Sequence, residues 1–317
     1  RVVVDPDLHR DIVSLGFIKD LKVHDNRVSF ALQLTTPACP VKDQLKQQAE
    51  DAVKALGADS VEVTMTSDVR PHSRMADSGI LAGVKNVVPV ASGKGGVGKS
   101  VVSANLAVAL SRMGAKVGLL DADIYGPSIP TIMGITDAPK PSQRGIQPVM
   151  AFGVQVISAG FFIRPDQAVV WRGPMLAKMI EQFLGQVDWG ELDYLIVDLP
   201  PGTGDVQLTL CQRIPLTGAV IVTTPQFVAV NIAEKAIIMF HQLKTPVLGV
   251  IENMSYFESR KTGEREYIFG SGGARTSAEQ LDVPFLGEVP ITPSIREHGD
   301  AGTTYQNLLD PSSSSYL

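Results

Sequence analysis

The chain has 317 residues, 44% of them hydrophobic and 19% charged, enough apolar side chains to fill the cores of a large and a small domain and too many for a disordered chain. Its formal net charge of −5 leaves none of the basic footprint that nucleic-acid binders set against phosphate backbones, so no nucleic acid is expected as a partner. Cys39 and Cys211 are the only cysteines, which excludes a disulfide framework; no apolar run spans a bilayer and no secretory signal opens the sequence, so no membrane partner is expected.

Residues 1–70 read as a small α/β unit. Asp7 to Ser14 is expected to be helical, Phe17 to Val23 and Val28 to Leu34 extended, Val41 to Leu56 helical, and Ser60 to Thr66 extended. Asp25-Asn26 is a hairpin signal, and Val28-Ser29-Phe30-Ala31-Leu32-Gln33-Leu34 alternates with the period of a half-buried strand. Cys39 precedes Pro40 and an amphipathic helix, which would place it at the N-cap with Pro40 at N1; there the helix dipole favours a thiolate, although a plain structural cap fits equally. Periodicity stops around Arg70-Pro71-His72-Ser73-Arg74, and residues 71–85 read as a linker.

Residues 86–308 alternate short apolar runs with helical patterns. Strands are expected at Asn86 to Ala91, Lys116 to Leu120, Val154 to Ser158, Tyr194 to Val197, Ala219 to Val222 and Val247 to Ile251. Helices are expected at Ser100 to Met113, stopped by Gly114, at Met175 to Leu184 and at Val228 to Leu243. Nearly all-apolar strands separated by helices predict an α/β fold with a doubly wound, mostly parallel sheet. Residues 309–317 are a polar, serine-rich tail.

The run Gly93-Lys94-Gly95-Gly96-Val97-Gly98-Lys99-Ser100-Val101 follows a predicted strand and opens a predicted helix. Its glycines let the backbone turn with positive φ and approach closely, so that successive N–H groups face phosphate oxygens at a helix N-terminus. Lys99 would neutralise β/γ-phosphate charge and the Ser100 hydroxyl would ligate Mg²⁺, which makes ATP and Mg²⁺ the expected cofactors.

Asp121-Ala122-Asp123 ends a predicted strand, where ligands of open α/β sheets collect. Asp121 would reach Mg²⁺ directly or through water and Asp123 would orient or deprotonate the attacking water, though the division between them stays open. Leu195-Ile196-Val197-Asp198 is an apolar strand ending in an acid, followed by the stiff loop Leu199-Pro200-Pro201-Gly202-Thr203-Gly204-Asp205. Asp198 would hold magnesium-bound water, the glycines of the loop would sense the terminal phosphate, and Asp205 would cap the next helix. Asn253 ends another strand with an amide suited to reading adenine.

The lysine after the first glycine makes the loop resemble the deviant Walker motif of the MinD/ParA/nitrogenase-iron-protein group. That resemblance implies that Lys94 reaches phosphates held by a second subunit, so that catalysis by Lys94, Lys99 and Asp123 depends on a homodimer. With Asp121 to Ser128, Trp171-Arg172-Gly173-Pro174-Met175 and Asp198 to Asp205 in order, the chain resembles the Mrp/ApbC family of iron–sulfur cluster carrier ATPases over nearly its whole length. Thr35 to Asp43 and Glu191 to Gln212 are similar to the plastid high-chlorophyll-fluorescence branch and its bacterial relatives, and residues 1–70 to a MIP18-related small domain. The resemblance implies ATP hydrolysis and a transient 4Fe–4S cluster, with cluster scaffolds and apo-iron–sulfur proteins as partners. The compartment would be the cytoplasm, or the plastid stroma if a transit segment precedes Arg1.

One departure from the family pattern bears on the cluster. Where its members carry C-x-x-C, this chain has Tyr256-Phe257-Glu258-Ser259-Arg260-Lys261-Thr262-Gly263. Iron–sulfur clusters take thiolates, which leaves Cys39 as the candidate ligand, since Cys211 falls on an apolar helical stripe and is expected to be a buried, inert thiol. His9, His24, His72, His241 and His298 show no paired metal spacing. Two alternatives remain: a ParA/MinD-like positioning switch, and an ATPase scaffold or adaptor without cluster carriage.

Overall fold

The computed structural model describes residues 2–6, 8–73, 81–162, 179–180, 182–259 and 262–309. Two compact units are present, the first made of the chain to Arg70 with Met113–Ala115 and the second of the rest from Pro71.

The first unit contains β1 (Val4–Asp5), β2 (Arg10–Asp11), β3 (Ile18–His24), β4 (Arg27–Leu34), α1 (Lys42–Lys54) and β5 (Ser60–Ser67). β3 and β4 form an antiparallel hairpin whose turn residues Asp25 and Asn26 both have positive φ, 45° and 58°, which matches the right-handed twist of the flanking strands. β4 also pairs parallel to β5. Its alternation sends Phe30, Leu32 and Leu34 into a core shared with Leu45 and Ala49 of α1 and Val63 of β5. The helix expected from Asp7 to Ser14 is replaced by the β1–β2 ladder and tight turns. The Asp5 carboxylate accepts from the Leu8 amide at 2.9 Å, and Asp11 accepts from the amides of Val13 and Ser14 at 3.1 and 2.8 Å, so side chains take the amides a helix would have used.

In the second unit the strands are β6 (Val84–Ala91), β7 (Val117–Asp121), β8 (Lys140–Ser142), β9 (Gly145–Gln147), β10 (Val149–Ala151), β11 (Val154–Ser158), β12 (Leu192–Asp198), β13 (Ala219–Thr223), β14 (Val247–Glu258), β15 (Arg265–Glu266) and β16 (Phe285–Ile291). The helices are α2 (Lys99–Arg112), α3 (Ile129–Ile132), α4 (Asp205–Arg213), α5 (Phe227–Gln242), α6 (Gly273–Gln280) and α7 (Pro293–Asp300). Seven strands run parallel in the order β11-β7-β12-β6-β13-β14-β16, and β10 and β15 pair antiparallel with β11 and β14.

Val87 and Val90 on β6, Leu119 and Leu120 on β7, and Leu195, Ile196 and Val197 on β12 have no exposure, so the central strands are covered on both faces. β6, at the middle, delivers the glycine loop, and β12 beside it and β7 beyond β12 bring acids to the same C-terminal edge. Asp198 is in register with Val90 of β6 and with Asp121 of β7, which seats the two carboxylates side by side. The helix expected at Met175 to Leu184 falls partly outside the described residues; 179–180 and 182–185 are helical, and the motif Trp171 to Met175 lies outside them. Among the described residues no helix is long and apolar enough to cross a membrane.

Candidate functional site

The glycine loop leaves β6 at Ala91 and enters α2 at Lys99, as its sequence predicts. Gly96 and Gly98 have φ of 78° and 81°, which only glycine adopts without strain. Gly93 is held for a different reason: a Cβ there would lie 2.5 Å from the Ile232 carbonyl carbon and 2.7 Å from the Ala233 nitrogen, so the loop backbone packs directly on that of α5. A Cβ on Gly98 would strike the amide of Asn253.

Lys99 is only 6% exposed, and its Nζ lies 2.8 Å from Oδ1 of Asp198 and 3.8 Å from Oδ2 of Asp123. The Ser100 hydroxyl donates to Oδ2 of Asp198 at 2.6 Å and the Ser103 hydroxyl donates to Oδ1 at 2.7 Å. One fully buried carboxylate therefore gathers an ammonium and two hydroxyls from the first turns of α2.

The two acids after β7 have different surroundings. Asp121 has no exposure, accepts from the Ser158 hydroxyl at 2.8 Å and from the Ile129 and Asp123 amides at 3.3 and 3.2 Å, and so ties β7 to β11 and to the start of α3. Burial, then the neighbouring charge of Asp198, pushes its carboxyl up to about 8. Asp123 lies beside Lys99 on the wall of the cavity over the loop, and Asp121 is not part of that wall. Burial raises the Asp123 carboxyl as well, opposed by the Lys99 charge.

That cavity, of about 1040 Å³, is floored by Lys94, Gly95, Gly96, Val97, Gly98, Lys99, Ser100 and Val101. Pro290, Thr292 and Ile295 also line it, so the cavity joins the amides and lysines of the glycine loop to a largely apolar wall, a volume and polarity suited to a nucleotide. Asn253 lines it, but its Nδ2 donates to the Val97 carbonyl at 2.8 Å, so this amide supports the glycine loop. Sequence reasoning missed Ser103, Ser158 and the rim from Pro290 to Ile295. Ser103 was findable, since it follows Lys99 by one helical turn; nothing local marks the others.

Neither cysteine is among the residues that line this cavity. Cys39 is not at the helix N-cap: Val41 occupies that position and α1 starts at Lys42, because the chain makes an extra turn in which the Lys42 amide donates to the Cys39 carbonyl at 3.3 Å. Cys39 is 7% exposed in the core of the small unit. Cys211 is buried on α4, and burial pushes its thiol up to about 12. Helix α4 begins at Asp205 itself, with Gly204 at the N-cap, so the capping position expected for Asp205 is shifted by one residue. Among the described residues no group of three His, Cys, Asp or Glu is placed to hold a metal ion.

A strand, glycine loop and helix presenting Lys99 and Ser100, with acids from adjacent strand ends beside them, define a P-loop nucleotide-binding NTPase. The family model described as NUBPL iron-transfer P-loop NTPase matches residues 83–316, and one described as iron–sulfur cluster assembly protein matches residues 1–65. The chain belongs to the NUBPL iron-transfer P-loop NTPase family. It is 50% identical, over 95% of this chain and 88% of that one, to the iron–sulfur cluster carrier protein of Synechocystis. It is 45% identical to the chloroplastic Fe–S cluster assembly factor HCF101 of Oryza sativa, over 95% of this chain and 57% of the longer HCF101. A nucleotide-binding protein of Archaeoglobus fulgidus, solved with ADP, superposes with a TM-score of 0.66 at 44% identity, covering 74% of this chain and 92% of that one. MinD of Pyrococcus furiosus, at 20% identity and a TM-score of 0.54, shares the fold over 73% of this chain and 94% of its own.

Proposed function

We propose that this chain binds ATP with Mg²⁺ over the glycine loop, hydrolyses it as a homodimer, and uses the cycle to carry iron–sulfur clusters to apo-proteins. The observation that supports it most is the buried Lys99–Asp198–Ser100 cluster under a nucleotide-sized cavity, in a chain half identical to an iron–sulfur cluster carrier protein. The residues fit magnesium: Ser100 and Asp198 offer hard oxygens already 2.6 Å apart, the donor type that ion selects. When bound, the ion would neutralise phosphate charge.

The chain's own residues divide the remaining work. Lys99 moves its ammonium from Asp198 to the phosphates, and Asp123 holds the attacking water on the cavity wall. Asp121 braces the end of β7 against β11 and α3 through Ser158 and Ile129. Asn253 holds the glycine loop in shape, with the base resting toward Pro290 and Ile295. Lys94, half-buried on the same cavity, serves the partner subunit's nucleotide. Residues 1–70 act as a separate assembly domain; the ATPase domain expected at 86–308 opens with β6 at Val84, which shortens the linker expected at 71–85.

Cluster ligation is where a second reading has support. Both thiols are buried and the family's C-x-x-C is absent, which favours an ATP-driven adaptor whose partner supplies the thiolates. Anaerobic reconstitution with iron and sulfide, followed by transfer to an apo-acceptor with and without ATP, separates the two. Bound cluster and ATP-dependent transfer support the carrier. ATP turnover with no cluster bound by the chain, yet faster transfer from a scaffold, supports the adaptor. Failure of both cluster arms removes the iron–sulfur function while leaving the NTPase.

A further inference from the structure

Gln207 lies in the first turn of α4, is 2% exposed, and among the described residues has no hydrogen-bonding partner for either its Nε2 or its Oε1. Its stripe continues one turn on into Leu210 and Cys211, which are 1% and 5% exposed and packed in the core. An apolar side chain would extend that stripe without penalty. A buried carboxamide, by contrast, is ordinarily hydrogen-bonded, because its desolvation is otherwise uncompensated.

The place where this amide sits indicates what it serves. Gln207 lines a cavity of about 490 Å³ together with Asp123, Tyr125, Pro200, Pro201 and Gly204. Asp123 and Pro201 also line the cavity over the glycine loop, so Gln207 shares a chamber wall with the acid beside Lys99. A carboxylate can only accept hydrogen bonds, whereas a carboxamide accepts through one atom and donates through the other.

We infer that Gln207, together with Asp123, positions the attacking water for hydrolysis of the terminal phosphoanhydride, an inference that rests on the ATP hydrolysis proposed above. Asp123 and Gln207 Oε1 each accept a hydrogen bond from the water, which leaves a lone pair of its oxygen toward the terminal phosphorus, and Asp123 takes one proton as the water attacks. Gln207 Nε2 donates to a phosphoryl oxygen. The water oxygen bonds to phosphorus as the bond to the bridging oxygen breaks, the electron pair leaves with ADP, and the proton taken by Asp123 departs with inorganic phosphate.

The test uses the full chain, with Gln207→Leu and Gln207→Met as variants of matching volume, and compares phosphate release, ATP affinity by equilibrium titration, and melting temperature. The expected result is a kcat lowered about 10- to 100-fold with ATP affinity within about twofold of wild type and a melting temperature equal or higher. A merely structural amide would lower the melting temperature and leave kcat in place. Wild-type kcat in either folded variant, or a kcat loss matched by an equal loss of ATP affinity, overturns the role of Gln207 alone. A wild-type chain that binds no ATP or releases no phosphate overturns the parent reading and this one together.

Discussion

Lys99 Nζ sits 2.8 Å from Oδ1 of Asp198, with the lysine side chain 6% exposed and the aspartate not at all. A charge held this deep depends on its partner, because removing one member leaves the other desolvated and uncompensated. Asp198→Ala in the nucleotide-free chain should therefore cost about 3–5 kcal/mol, while Lys99→Met with Asp198→Ala together should recover part of that loss. Denaturant unfolding of the wild type, Asp198→Ala, Lys99→Met and the double variant decides it, and an additive double variant would contradict the pairing.

The glycines of the loop should not respond alike to alanine. Gly93 is closed by the backbone of Ile232 and Ala233, and Gly98 combines a φ of 81° with the Asn253 amide, whereas nothing lies within 4 Å of a Cβ on Gly95. Gly93→Ala and Gly98→Ala are expected to lower ATP affinity at least about tenfold and to destabilise the fold, through displaced helix backbone and left-handed strain respectively. Gly95→Ala should keep the wild-type melting temperature. Calorimetric titration and thermal scans of the three variants would show the opposite ranking if the loop packed differently.

Asp121 and Asp123 should separate by phenotype. Asp121→Ala deprives the Ser158 hydroxyl and the Ile129 amide of their buried acceptor and is expected to destabilise by about 1–3 kcal/mol, with Asp121→Asn restoring most of it. Asp123→Asn should leave stability and ATP binding near wild type while phosphate release falls about 100-fold or more. Loss of turnover in Asp121→Asn with unchanged stability would instead place Asp121 at the metal.

Thiol chemistry offers a direct check on burial. Desolvation pushes the Cys211 thiol up to about 12, so at pH 8 it is almost wholly the unreactive thiol, and raising the pH to 9 gains little thiolate while the fold persists. Iodoacetamide should label Cys211 only after denaturation, and Cys39, 7% exposed, should likewise be slow in the native chain. Rapid native labelling of Cys39 at pH 8, read by mass spectrometry, would reveal an accessible thiolate and strengthen its claim as a cluster ligand.

Much of this site could be read along the chain because its parts are local. Strand, glycine loop and helix are contiguous from Val84 to Arg112, and the acids at Asp121, Asp123 and Asp198 each end an apolar run, so short-range pattern was enough to find them. The expected helix from Asp7 to Ser14 failed because the carboxylates of Asp5 and Asp11 compete for its amides, a choice that helical periodicity does not register. Cys39 moved from a cap to the core through a single extra turn before Lys42.

The phosphate loop and the residue types around it were written into short stretches of the chain, since backbone freedom at glycine and strand-end acids are properties of neighbouring residues. How those residues divide the work follows from the packing of distant strands and helices. Asp121 is sealed against Ser158 because β7 and β11 are adjacent, Asn253 is turned to the Val97 carbonyl because β14 runs past the loop and on to Glu258, and Gln207 meets the chamber of Asp123 because α4 follows β12. Such contacts join residues far apart along the chain, and they depend on strand order and register, which no local pattern encodes.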